Sequence, residues 1–163
     1  MKGTGKIILI VFFVLLLVLL LIIPRTPSIE NAEQANVELS ESEKTIKTAL
    51  TLVRSEAPMQ GILMLRDLSE KEPDNIDAHW HLGELSVESG QFEKAIMRFE
   101  KVIVLDNSEN PKYKKAYFYL GNLYANLSQN DKAIESFNQL LELEPSEEMK
   151  KETLGFLEQL NNN

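Results

Sequence analysis

Residues 117–137 read YFYLGNLYANLSQNDKAIESF, and residues 79–99 read HWHLGELSVESGQFEKAIMRF. In both stretches a Leu-Gly pair is followed by alanine twelve residues after the glycine, and by phenylalanine four residues later. The step from Gly83 to Gly121 places the two copies 38 residues apart. Self-similarity with a period of about 20–50 residues is typical of repeat proteins, in which each copy is one supersecondary unit stacked on the next.

Each copy is predicted to be a pair of α-helices. The small residues Gly83 and Ala95 would let two helices approach closely, and Gly121 and Ala133 repeat this arrangement. Within residues 91–105 apolar side chains recur every three or four positions, which gives one apolar helical face. The sequence predicts seven helices and no strand, with the helices near residues 40–55, 58–71, 75–89, 91–105, 111–126, 130–143 and 146–160.

Start and stop signals agree with these helices. Ser40 and Glu43 have the spacing of a capping box, in which each side chain bonds the other residue's backbone N–H. Gly90 suits the position just after a helix end, where the backbone turns left-handed. The remaining signals are Asn110 as a cap, Pro58 and Pro111 in first helical turns, and Pro73 and Pro145 as stops.

The pattern resembles the tetratricopeptide repeat family, in which W-x2-L-G-x2-Y, A-x3-F and P recur over about 34 residues. The matching positions are Leu82, Gly83, Ala95 and Phe99 in one copy, and Tyr117, Leu120, Gly121, Tyr124, Ala133, Phe137 and Pro145 in the next. The first of these copies departs from the pattern, since its tryptophan is one place late at Trp80 and Ser86 replaces the tyrosine. An earlier, degenerate copy is marked by Ala49, Gly61, Leu65 and Pro73.

The resemblance implies an all-α fold, an α-solenoid of about three helix pairs over residues 40–163. The last helix is predicted to close the stack, because a terminal helix with one polar face keeps the open end soluble. Its apolar face consists of Met149, Thr153, Phe156, Leu157 and Leu160.

Residues 7–23 read IILIVFFVLLLVLLLII, without a charge, a polar side chain or a glycine. At about 1.5 Å per residue this run spans roughly 26 Å, which predicts one transmembrane helix before the repeats. A cleaved signal peptide is the alternative, but the apolar core is longer than usual and no A-x-A site follows it. Lys2 and Lys6 precede the run, and Arg25 is the one basic residue close behind it. This asymmetry predicts that residues 1–6 stay in the cytoplasm and that the rest of the chain is translocated.

Residues 24–39 (PRTPSIENAEQANVEL) are polar and contain two prolines, so they are predicted to form a flexible tether. Beyond the apolar run the chain has 15 basic and 25 acidic residues, a net charge of about −10. Such a charge repels nucleic acid. There is no cysteine, which excludes disulfides and thiolate metal sites.

The resemblance also implies that partners bind in a groove lined by the first helix of each pair. The groove residues predicted in this way are Ile46, Leu50, Trp80, Glu84, Phe118 and Asn122. For Trp80 an alternative is simple packing against a neighbouring helix. Of the consecutive aromatic residues 117–119, at least one is expected to face outward. Capture of a partner's C-terminal carboxylate is not expected, since that family subtype needs lysine, arginine and asparagine, and Asn122 alone qualifies.

These features predict a membrane-anchored scaffold that binds a protein or peptide segment, in a bacterial inner membrane with the repeats facing the periplasm, within an envelope assembly. One alternative is an accessory subunit of an integral-membrane complex, such as a protein translocation or envelope biogenesis machine. Another is a receptor for basic targeting segments on an organelle membrane. His79 and His81, two apart on a helix, point to different sides and do not suit one metal ion. We expect no enzyme activity, no metal, no cofactor and no small-molecule substrate; the oligomeric state stays open.

Overall fold

The computed structural model describes residues 39–108 and 111–162, and within them every regular element is an α-helix. The helices are α1 (Glu41–Val53), α2 (Pro58–Lys71), α3 (Ile76–Glu88), α4 (Phe92–Leu105), α5 (Lys115–Asn126), α6 (Asn130–Glu142) and α7 (Glu147–Asn161). Each helix packs on the helices before and after it along the chain. The result is three helix pairs, α1–α2, α3–α4 and α5–α6, followed by the single helix α7.

Glycines set the close contacts inside two of the pairs. A Cβ atom added at Gly121 would lie 2.4 Å from the ring of Phe137, and one added at Gly83 would lie 2.9 Å from the ring of Phe99. Both distances are shorter than carbon atoms tolerate, so the phenylalanine of the second helix needs a glycine on the first. The predicted close approach of the two helices is confirmed for both repeats.

The predicted caps are present where the structure describes them. Ser40 and Glu43 form the reciprocal capping box at the start of α1, and Pro58 lies in the first turn of α2. Gly90 follows the end of α3 with φ 69°, a left-handed backbone. The same place after α5 is taken by Ser128, with φ 57°.

The start of α5 was predicted wrongly at residue 111. The helix begins at Lys115, and residues 112–114 form a turn instead. Within this turn Asp106 Oδ2 accepts a hydrogen bond of 2.7 Å from the backbone N–H of Tyr113, which ties the turn to the end of α4. Residue 110, the predicted cap, lies outside the described residues.

The buried apolar side chains form two clusters. The smaller is built from α1, α2 and α3 and consists of Ile46, Ala49, Leu65, Leu68, Ala78 and Leu82. The larger runs from α4 to α7 and includes Phe99, Tyr124 and Phe137. On α7, Thr153 and Leu157 are buried while Glu148, Lys151 and Glu152 are exposed, so the predicted face of the closing helix is confirmed.

The predicted segments 1–6 and 7–23, and the tether up to residue 38, lie outside the described residues. None of the helices in residues 39–108 and 111–162 is both long enough and apolar enough to span a bilayer.

Candidate functional site

Two of the six predicted groove residues, Ile46 and Leu50, line an open cleft of about 500 Å³ on the first helices. We call this surface the first-helix cleft; its lining residues are Glu43, Ile46, Lys47, Leu50, Thr51, Arg54, Asp77, His81 and Lys112. The two apolar side chains lie one helical turn apart on α1, which places them on the same side of that helix. The cleft therefore has an apolar strip with polar edges.

The charges of the first-helix cleft are mixed. Acidic Glu43 and Asp77 lie with basic Lys47, Arg54 and Lys112 in its lining. Lys112 Nζ lies 3.6 Å from Asp77 Oδ1, in an exposed ion pair of small energetic value. A segment bound here would need charges of both signs beside its apolar anchors.

Trp80 lies in a cluster of aromatic rings. Its ring centroid is 5.5 Å from that of Phe99, 5.1 Å from that of Tyr113 and 5.7 Å from that of Tyr119. Phe99 and Tyr119 stack at 4.6 Å, so the cluster joins α3, α4 and α5. Trp80 is half-buried and packs against these rings, as the alternative interpretation of the sequence describes.

Phe118 lies in a second ring cluster. Its centroid is 6.1 Å from that of Phe137 on α6 and 6.0 Å from that of Phe156 on α7. Tyr117, Phe118 and Tyr119 are all half-buried, so which of the three faces outward stays open. The loop before α5 and helix α7 supply the cover that the repeat pattern alone does not contain.

Glu84 and Asn122 are engaged on their own helices. Glu84 Oε2 lies 3.1 Å from His81 Nδ1, and Asn122 Nδ2 donates to the carbonyl oxygen of Phe118 at 2.9 Å. Burial raises the pKa of the Tyr119 hydroxyl, and the Glu84 carboxylate adds to this effect. The structure thus does not bring the six predicted residues into one pocket, and their binding role stays a prediction.

The lysines around the loop before α5 each have a partner within the protein. Lys114 Nζ donates to the carbonyl oxygens of Leu143 and Glu144 at the end of α6, at 3.2 and 3.3 Å. Lys112 lies over the ring of Tyr113 and Lys115 over that of Tyr119. These contacts connect the loop before α5 to the rest of the third repeat.

A larger cleft, which the repeat pattern does not predict, lies on the other side of the stack. We call it the second-helix cleft; its volume is about 840 Å³. Its residues come from α2, α3, α4 and the adjoining turns: Met59, Ile62, Arg66, Pro73, His79, Leu82, Leu85, Ser86, Ser89, Gln91, Lys94, Met97, Arg98 and Lys101. The signal that could have found it is the presence of methionines on helix faces that the core does not use.

One wall of the second-helix cleft is organised around His79. The His79 ring bonds the carbonyl oxygen of Pro73 through Nε2 at 3.0 Å, which makes Nε2 the protonated nitrogen. Nδ1 then accepts a bond of 2.9 Å from the guanidinium of Arg98. Burial lowers the pKa of His79, and the nearby positive charge of Arg98 lowers it further.

The tetratricopeptide repeat family matches residues 115–147, which contain α5 and α6. A solved variant of MamA superposes with a TM-score of 0.60 and 25% identity, covering 75% of this chain and 65% of that chain. A variant of the O-GlcNAc transferase of Thermobaculum terrenum has a TM-score of 0.52 and 25% identity, covering 67% of this chain and 21% of that chain. A comparison with curated proteins found no match. The prediction of an all-α solenoid of tetratricopeptide type is confirmed for the described residues.

Proposed function

We propose that this protein is a membrane-anchored scaffold that binds a segment of a partner protein in the first-helix cleft. The tetratricopeptide match and the solenoid of helix pairs support a protein–protein interaction module. Anchoring by residues 7–23 rests on the sequence, as does the orientation with a cytoplasmic N-terminus and a periplasmic repeat domain in a bacterial inner membrane. In that setting the protein would hold its partner within an envelope assembly.

The observation that carries the proposal is the apolar strip of the first-helix cleft, formed by Ile46 and Leu50 and edged by charges of both signs. Apolar anchors give a bound segment its affinity, while the flanking charges fix its register and reject wrong partners. Because the edges contain bases as well as acids, the cleft has no particular preference for a basic targeting segment.

The test is photo-crosslinking of the full-length protein in its native membrane. Photo-reactive residues at Lys47 and Thr51, both exposed in the first-helix cleft, are compared with one at the exposed Glu135 on α6. We expect one protein to be captured from positions 47 and 51 and not from position 135. Capture from position 135 alone, or through the anchor alone, would overturn the proposal and favour the accessory-subunit alternative.

A matched pair of variants sharpens this test. Lys47→Glu reverses a charge at the edge of the cleft, whereas Thr48→Glu places a carboxylate on the next residue of α1, which does not line it. We expect the yield of the crosslink from position 51 to fall at least about fivefold with Lys47→Glu and to stay unchanged with Thr48→Glu. Equal yields in both variants would count against binding at this cleft.

A further inference from the structure

The second-helix cleft exposes apolar side chains that have no role in the core. Met59 on α2 is 64% exposed and Met97 on α4 is 69% exposed, and both line the cleft. Two leucines of α3 line it as well, the half-buried Leu85 and the buried Leu82. Methionine is unbranched and polarisable, so it adapts to the shape of whatever packs against it.

The basic residues of this cleft recur at helical spacing. On α4, Lys94, Arg98 and Lys101 lie three or four residues apart, and Arg66 faces them from α2. Four basic side chains and not one acidic side chain line the cleft within the described residues. The whole chain has the opposite balance, with 17 basic and 25 acidic residues.

Arg98 is held at the cleft wall by contacts other than a carboxylate. Its guanidinium donates to His79 Nδ1 at 2.9 Å and reaches Ser69 Oγ at 3.4 Å. Burial lowers the pKa of Arg98, so its charge is held in surroundings that solvate it less well than water. A carboxylate placed beside it would offset this desolvation and form a charge-assisted hydrogen bond.

Glu70 on α2 is an acidic group close to these basic side chains, and its charge opposes the lowering of the Arg98 pKa by burial. Its Oε1 lies 3.9 Å from Arg66 Nε, and both side chains are largely exposed. Such an exposed pair contributes little, so it competes only weakly with a partner's carboxylate. Arg66 therefore remains able to pair with an acidic group brought into the cleft.

We infer that the second-helix cleft is a second docking site, which binds an acidic amphipathic helix of a partner protein between Met59 and Met97. The apolar face of that helix would lie on Leu82 and Leu85, in the helix-in-groove mode of recognition. Its glutamate or aspartate side chains would pair with Arg66, Lys94 and Arg98. An acidic helix complements the basic lining of the cleft. A second copy of this chain complements it less well, because its helices carry charges of both signs although its net charge is −8.

The test uses two synthetic helical peptides of about 15 residues and the full-length protein in nanodiscs of zwitterionic lipid. Both peptides have leucines at three- and four-residue spacing; one has glutamates beside them and the other has lysines. Fluorescence anisotropy measures binding, with empty nanodiscs as the blank. We expect the glutamate peptide to bind at least about tenfold more tightly and to weaken as salt rises from about 50 to 500 mM.

Variants separate this site from the first-helix cleft. Arg66→Glu with Lys94→Glu reverses two exposed rim charges and should lower the affinity for the glutamate peptide at least about tenfold. Lys47→Glu, on the first-helix cleft, should leave it unchanged. Helical circular dichroism checks that each variant is folded. Since the crosslinks from positions 47 and 51 report on the other cleft, the two proposals can fail independently.

Three results would overturn the inference. The first is equal affinity for the two peptides, and the second is an affinity for the glutamate peptide that the rim reversal does not change. The third is a crosslinked dimer of this chain, formed from a photo-reactive residue at position 97 of the full-length protein in its membrane, which would assign the cleft to self-association.

Discussion

Gly90 and Ser128 occupy the same place in two repeats, two residues beyond the ends of α3 and α5. In the third repeat the N–H of Ser128 donates to the carbonyl of Ala125, and the next N–H donates to that of Tyr124, as the equivalent residues do after α3. This geometry needs a left-handed residue, which glycine adopts without the Cβ clash that serine suffers.

We therefore expect Ser128→Gly to raise the free energy of unfolding by about 0.5–1 kcal/mol, and Gly90→Ser to lower it by about 1 kcal/mol. Urea denaturation followed by circular dichroism measures both. The control is Ser89→Gly, at an ordinary φ of −90°, which should bring no gain. A stabilised Ser89→Gly variant would show that the left-handed conformation is not the cause.

His79 makes stability depend on pH. Burial lowers its pKa in the folded protein, so between pH 7.5 and 5.5 the unfolded chain binds more protons at this site. The free energy of unfolding should therefore fall as the pH drops through the usual histidine range near 6.5. Replacing His79 by glutamine should flatten this slope. Urea titrations at three pH values test the prediction, and an unchanged slope in His79→Gln would contradict it.

At the scale of the helix, α7 covers the end of the stack, and the ring of Phe156 is one of its main contacts. Phe156 stacks on Phe137 at 5.6 Å between centroids and contacts Phe118 at 6.0 Å. We expect Phe156→Ala to lower the free energy of unfolding by about 2–3 kcal/mol, since large-to-small changes at packed rings cost this much. Leu154→Ala, on the same helix but 48% exposed, should change it by less than about 0.5 kcal/mol. Equal effects of the two variants, measured by thermal unfolding, would mean that α7 is not held by this contact.

Helix positions could be predicted because their causes are local. The capping box at Ser40 and the glycine at position 90 act on their own turns, and both were found as expected. The turn before α5 could not be predicted, because it includes a contact between Asp106 and the backbone of Tyr113 seven residues away. Nothing in the spacing of prolines or apolar residues records that contact.

The binding surfaces were harder to predict than the helices. Repeat positions placed Trp80 and Phe118 in a groove, and the repeat pattern does not contain their contacts with rings of other elements, Tyr113 and Phe156. The second-helix cleft arises from the gap between α2 and α4, a distance between elements that the sequence pattern does not contain. The sequence alone predicts that Met59 and Met97 face solvent. It does not show that both line one cleft, which depends on the packing of α2 and α4.

At the scale of the whole molecule, the lack of cysteine offers a direct test of membrane topology. A single Glu56→Cys change puts one thiol on the exposed turn between α1 and α2. In intact cells it should react with a membrane-impermeant maleimide that reaches the periplasm, and a cysteine at position 3 should not. Deleting residues 7–23 should release the protein from the membrane fraction. Labelling at position 3 alone would reverse the proposed orientation.

The division of the buried core has a mechanical meaning. The cluster that comes first along the chain, from Ile46 to Leu82, is the smaller of the two, and the larger one runs from α4 to α7. In a stack held by neighbour contacts, stability is a local sum, so the halves need not give way together. A pull transmitted along the chain from the membrane would load α1 first, and we expect the first pair to yield while the aromatic half keeps its fold. Because the first-helix cleft is built on α1, a segment bound there would be released when this pair yields, so tension would limit how long the partner is held.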